Sequence, residues 1–234
     1  MQRELQVGLF AATTVAFAAS ARLLRGVTTG GSLAGGAVCV VLLLAAGWGG
    51  VAALGTVFLL TWAATRLGYR SKQRLGIAEG HAGRSAGQVL ANLGVACAAA
   101  LAYLVLRDSR LLAAVAAALA EVAADTLASE VGQVLGGTPR LVTSWKPVPA
   151  GTNGAITFGG TGAGVVGAAL VVMVCVATGM VPRQAFWVCT GAGLLGMVAD
   201  SLLGATIERR GYLGNNGVNF LSTLIAAILA GLFL

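Results

Sequence analysis

The chain has 234 residues, of which 57% are hydrophobic and 10% charged, with a mean hydropathy of +0.87. A water-soluble domain carries about 25% charged residues, so this composition excludes an ordinary soluble fold. The net charge of +7 comes without the dense basic and aromatic footprint of a nucleic-acid binder and is read instead as a membrane-orientation signal.

Apolar runs of about 20 residues, the length of helix that spans a bilayer, recur along the whole chain. They are too long and too uniformly apolar for the alternating strands of a barrel, and lipid leaves a spanning backbone no third option. The predicted fold is therefore all-α, a polytopic bundle of about eight spans. They fall at residues 5–24, 30–48, 49–67, 86–106, 110–134, 157–180, 184–207 and 217–234. The first run has signal-peptide features, with Arg3 ahead of it and a cleavage-like Ala16-Phe17-Ala18. Arg22 and Arg25 at its far end favour a retained helix. Only Gly47 to Gly50 separates the second and third spans, and Gly49-Gly50 is the expected turn. No linker interrupts the chain, so residues 1–234 form one domain, with 1–26 an extra N-terminal span and 27–234 the core. Gly160-Thr161-Gly162-Ala163-Gly164 resembles a phosphate loop, but no strand precedes it and helix packing is the expected role. Cys39, Cys97, Cys175 and Cys189 lie in apolar runs with no pairing pattern, as small core residues.

Charge fixes the expected orientation. With eight spans, one set of alternate loops holds Arg22, Arg25, Arg66, Arg70, Lys72, Arg74, Arg84, Arg140, Lys146, Arg209 and Arg210, which is 11 of the 15 Lys and Arg residues. The other set holds Arg3, Arg107, Arg110 and Arg183. By the positive-inside rule the first set is cytoplasmic, and both termini lie on the non-cytoplasmic side.

Ionisable residues inside spans are costly and mark function by default. Here they are Glu121, Asp125, Glu130 and Asp200. The fifth and seventh spans both run toward the cytoplasm and share a short Ala-Asp-Thr/Ser-Leu echo at Asp125 and Asp200. At 1.5 Å rise per residue the two carboxylates sit at matching depth, roughly 10–15 Å from the cytoplasmic end. Gln88 and Asn92, one turn apart, reach the same level from the fourth span, and Asn215, Asn216 and Asn219 open the eighth. The loop Val148-Pro149-Ala150-Gly151-Thr152-Asn153-Gly154 has a defined non-helical path. Its N–H groups, with Lys146 and Thr152, are expected to cradle an anion. The bland alternative for any one buried acid is a helix-packing contact, and Glu121, the deepest, fits it best. His81 is the sole histidine, expected to be solvated, so no Ser-His-Asp set is available. The pattern suits divalent-metal chemistry on phosphates: Mg²⁺ prefers carboxylate oxygens and keeps substrate phosphates as its other ligands. Asp125, Asp200 and Glu130 are the expected metal ligands, with Arg70, Lys72, Arg74, Arg84 and Lys146 neutralising phosphate charge at the rim.

Four segments resemble a known family. They are Gln88-Val89-Leu90-Ala91-Asn92, Ala124-Asp125-Thr126 through Ser129-Glu130-Val131-Gly132, Val148 to Gly154, and Asp200-Ser201-Leu202-Leu203-Gly204-Ala205-Thr206, with Asn215-Asn216 and Val218-Asn219 completing the set. The chain is similar over residues 27–234 to the integral membrane family of unknown function that includes plant and cyanobacterial phytyl-phosphate kinase. Members often carry Gln where this chain has Glu208. The resemblance implies transfer of a phosphoryl group from CTP or another nucleoside triphosphate to an isoprenyl monophosphate. It implies Asp125, Glu130, Asp200 and Lys146 as the catalytic set. The phosphate- and nucleotide-binding set would be Gln88, Asn92, Ser129, Gly151, Thr152, Asn153, Ser201, Asn216, Asn219, Arg84 and Lys72. Mg²⁺, the nucleotide, the isoprenyl-phosphate lipid and membrane lipid are the expected cofactors and partners, and nucleic acid is not. The expected location is the bacterial inner membrane, with the site facing the cytoplasm. Two alternatives stay open, a cytidylyltransferase that forms a CDP-lipid and a cation- or proton-coupled transporter.

Overall fold

The computed structural model describes residues 2–78, 80, 82–135 and 137–234, with the side chains of residues 2 and 3 left out. His81 lies outside the described residues. The helices are α1 (Gln2–Leu23), α2 (Thr29–Arg66), the short α3 (Tyr69–Arg74), α4 (Ala86–Leu106), α5 (Arg110–Leu135), α6 (Phe158–Ala177), α7 (Ala185–Leu203) and α8 (Asn215–Phe233). One π-helical turn, Gly204–Glu208, prolongs α7. Two-residue strands β1 (Arg140–Leu141) and β2 (Ala155–Ile156) pair antiparallel between α5 and α6. Among the described residues, seven helices are long and apolar enough to cross a membrane.

The all-α polytopic bundle holds, and α2 accounts for two of its crossings. Its 38 residues would reach about 57 Å if straight, far beyond the hydrocarbon core of about 30 Å. Instead the chain breaks at Gly47 (φ 60°, ψ −145°), a conformation open to glycine and strained for other residues. A Cβ on Gly50 would stand 2.6 Å from the carbonyl oxygen of Leu42, whereas eight residues of straight helix separate atoms by about 12 Å. The contacts of α1 trace the reversal. Ser32 Oγ donates to Ala18 O at 2.8 Å, while Phe10 meets Trp48 and Phe17 meets Phe58 with ring centroids 6.0 and 5.9 Å apart. The first half of α2 thus runs antiparallel to α1 and the second half parallel to it. The reversal sits at Gly47, ahead of the expected Gly49-Gly50 turn. Gly49 and Gly50 are glycine for want of room: a Cβ on Gly49 would lie 2.8 Å from Thr178 Oγ1.

Helix α5 is the axle. Every residue from Ala113 to Ala124 is buried, and α2, α4, α6, α7 and α8 all pack on it. Small residues make this approach possible where lipid offers no hydrophobic drive. Gly160 and Gly164 of α6 would each bring a Cβ within 3 Å of an α5 carbonyl oxygen, at Ala128 and Ala124. The glycine run at the start of α6 is therefore packing surface. The four cysteines are free, three of them buried.

The loops sort by end. Val27 pairs with Arg84, Gly151 touches Ile77, and Gly154 touches Ala205, so the loops after α1, α3, α5 and α7 share one end of the bundle. Gly49 and Thr178 meet at the other. The chain enters α1 and leaves α8 at that second end, as the charge count requires.

Candidate active site

A polar cavity of about 440 Å³ opens at the loop-rich end. Helix α5 supplies Asp125, Thr126, Ser129, Glu130 and Gln133; α7 supplies Asp200 and Ser201; α4 supplies Gln88 and Asn92; α8 supplies Asn215 and Asn219. Arg84 and the loop Ala150–Thr157 complete the wall. Helices α4, α6 and α8 begin here, and their N-termini present partial positive charge. Ser85 caps α4 in a reciprocal capping box with Gln88, and Thr157 caps α6 by accepting from Gly160 N.

Hydrogen bonds fix the side chains across helices. Asn219 Nδ2 donates to Asn92 Oδ1 at 3.2 Å, and Asn92 Nδ2 to Gln88 O at 2.7 Å. Ser222, fully buried on α8, places its hydroxyl 3.3 Å from Asp200 Oδ2 and 3.0 Å from Asn219 O. Asp125 and Asp200 stand next to one another in the cavity wall, one from α5 and one from α7. Arg84 lies beside Asp125, with Nη2 3.2 Å from Thr126 Oγ1. Its backbone is clamped on both sides, Arg84 N donating to Gly26 O and Thr28 N to Arg84 O, each at 3.0 Å.

Of the residues expected at the site, Asp125, Glu130, Asp200, Gln88, Asn92, Ser129, Gly151, Thr152, Asn153, Ser201, Asn219 and Arg84 line the cavity. Lys72, Lys146 and Asn216 do not. Lys72 is buried behind the wall and donates to Ala64 O (3.2 Å), Thr65 O (2.9 Å) and Glu130 Oε2. Lys146 is exposed on the β1–β2 loop, where its carbonyl accepts from Leu141 N. Asn216 packs near Gly87 at the start of α4. Among the described residues, Arg84 is the one cation in the wall. Thr152 spends both its N–H and its hydroxyl on Pro149 O, which closes the loop. Gln133, Thr157, Thr161 and Glu208 line the cavity as well. Gln133 was legible in the sequence, because Asp125, Ser129 and Gln133 recur every fourth residue on one helical face.

Three carboxylates do not form a metal cage. Among the described residues no three His, Cys, Asp or Glu side chains group around one point, because Glu130 turns to Lys72. The pair that remains fits a magnesium ion, which binds through one or two carboxylates plus substrate phosphates. Two neighbouring carboxyl groups cannot both stay ionised unaided: they share a proton or take a cation between them. Glu121, deeper on α5 and 1% exposed, has an Oε1 with no hydrogen-bond partner.

The Integral membrane protein DUF92 family matches residues 12–227. The chain belongs to this family. That bears out the resemblance carried by the four segments and extends it into α1. An uncharacterized membrane protein of Methanocaldococcus jannaschii is 39% identical over 117 residues, 47% of this chain and 46% of that one. An uncharacterized membrane protein of Synechocystis sp. is 30% identical over 198 residues, 82% of this chain and 76% of that one. Protein VTE6, chloroplastic, of Arabidopsis thaliana is 32% identical over 109 residues, 45% of this chain and 33% of that one. The matched stretch thus covers about half of the first relative and a third of the last. No solved structure matches the chain.

Proposed function

We propose that this DUF92 protein is a membrane-embedded kinase that transfers a phosphoryl group from CTP or another nucleoside triphosphate to an isoprenyl monophosphate, such as phytyl phosphate. The observation that carries the reading is that Asp125, Asp200 and Arg84 line one polar cavity where three helices begin. The family resemblance and the match to VTE6 supply the reaction class.

Asp125 and Asp200 would hold Mg²⁺, whose charge offsets that of the phosphates when it is bound. Arg84 sets its guanidinium beside the transferred group, where a rigid fork matches phosphate oxygens. The N-termini of α4, α6 and α8 and the N–H groups of Gly151, Asn153 and Gly154 favour the nucleotide's negative charge. Asn92, Asn219, Ser129 and Ser201 hold the oxygens by hydrogen bonds. An oxygen of the acceptor phosphate forms the new bond to the γ-phosphorus while the bond to the β-phosphate oxygen breaks, giving CDP and an isoprenyl diphosphate. A phosphate monoester has a second pKa near 6 and arrives largely ionised, so no general base is required. This suits a site whose described lining contains no histidine. Positioning and charge neutralisation are most of what phosphoryl transfer asks of a protein.

The test is to incubate purified protein with Mg²⁺, CTP labelled at either phosphate end, and a panel of isoprenyl monophosphates. Lipid that gains the γ-label, with CDP released, supports the kinase. Lipid that gains the α-label, with pyrophosphate released, replaces it with a CDP-lipid synthase. If no lipid acceptor causes nucleotide to be consumed, both enzymatic readings fail and ion-coupled transport takes their place.

A further inference from the structure

A second cavity, of about 300 Å³, lies between α1, both halves of α2 and α4, with Val122 of α5 at its back. Its wall is largely apolar, with Phe17, Leu54, Val57, Phe58 and Leu93, and it also carries Arg25 and Arg66, the latter donating to Leu24 O at 2.7 Å. It meets the polar cavity at one place: Gly80, Arg84 and Asn92 line both. Resting on the kinase reading for the identity of the head group, we propose that this second cavity is the slot for the acceptor's isoprenoid tail, and that Arg84 at the junction grips its phosphate.

An amphiphile with an anionic head needs an apolar channel that ends in a cation, and of the three arginines lining the slot Arg84 is the one that also lines the polar cavity. The junction is built, because the segment that floors the slot also fixes the cation. Gly26, Val27 and Gly31 line the slot, and Gly26 O and Thr28 N hold both backbone groups of Arg84. The slot is kept open by small residues on α2. A Cβ on Gly31 would meet Arg84 O at 2.4 Å, so the chain passes close there, while a Cβ on Gly35 meets nothing within 4 Å. Phe17 and Phe58 pack edge to face and form a stretch of its wall from α1 and α2 together. On this reading α1 is part of the lipid site, and the length of the slot sets the accepted chain.

The test uses the full-length protein in detergent or nanodiscs and an isoprenyl monophosphate bearing a diazirine at the end of its tail. Expected is light-induced label on slot residues of α1, α2 and α4. Unlabelled long-chain isoprenyl monophosphate should compete it away, and phosphatidylglycerol should not. Gly35→Phe and the milder Gly35→Leu grow into the slot from a Cβ position with nothing within 4 Å. Each should lower the preference for the longest over the shortest monophosphate competitor by about tenfold or more. Gly55→Phe is the control: it too has open space around its Cβ but lines neither cavity, and its preference should match the unmodified chain. Label confined to outward helix faces, label displaced equally by phosphatidylglycerol, no label, or an unaltered preference in both Gly35 variants overturns the slot. None of these readouts needs nucleotide. Label in the slot without phosphoryl transfer leaves the slot standing and removes the kinase; transfer with label elsewhere does the reverse.

Discussion

Lys72 and Glu130 are 58 residues apart in sequence and form a buried ion pair behind the polar cavity. Lys72 is 1% exposed. Its ammonium has three hydrogens, and it finds three acceptors: Glu130 Oε2, Ala64 O and Thr65 O. Removing one partner of such a pair strands the other charge, at a cost of about 3 kcal/mol or more. Lys72→Met is therefore expected to lower unfolding stability in detergent by that amount. Lys72→Met with Glu130→Gln should recover more than half of the loss, and a double variant no more stable than the single one would show that the pair is not what holds α3 to α5.

Asp125→Asn and Asp200→Asn are expected to reduce γ-phosphoryl transfer by about a hundredfold to a thousandfold, the scale of losing one preorganised electrostatic group. Helix content and gel-filtration position should not move, since asparagine keeps the side-chain volume and one acceptor oxygen. Ser222→Ala removes a hydroxyl 3.3 Å from Asp200 Oδ2 and should cost about tenfold, the worth of one hydrogen bond to a charged group. Full transfer in either asparagine variant would take that aspartate out of the site.

Gly154 carries φ of +75°, and a Cβ there would stand 2.4 Å from both Cβ and N of Ala205. Gly154→Ala combines backbone strain of about 1–3 kcal/mol with a clash that pushes the loop off the π-helical turn Gly204–Glu208. Faster hydrogen exchange is expected at residues 148–156, with the protected centre of α5 unaffected, together with a raised KM for nucleotide. Adding Ala205→Gly removes the clash with Cβ but not that with N, so the rescue should be partial.

Orientation has its own test. Alkaline phosphatase fused after Leu234 should be active in a bacterial host and a fluorescent protein at the same place dark, because both termini are expected on the non-cytoplasmic side. A cysteine placed at Ser144, exposed on the loop-rich end, should react with a membrane-impermeant maleimide only in inverted vesicles. Labelling in intact cells would place the cavity on the outer face.

The helices, their number and their alternation of ends were legible in the sequence alone, because hydropathy and charge are local quantities that a bilayer reads directly. So was the matching depth of Asp125 and Asp200, which needs only helix rise and direction. Tertiary structure decided which groups meet. It put the reversal of α2 at Gly47 and used Gly49 and Gly50 for close packing, a difference visible only once Thr178 and Leu42 are in place. It turned Lys72 inward to Glu130, left Lys146 on the outer loop, and chose Asn215 rather than Asn216 for the cavity wall. It also set an apolar cavity against the polar one at Arg84. Those outcomes depend on helix rotation and on contacts between segments far apart in the chain, which no local run of residues encodes.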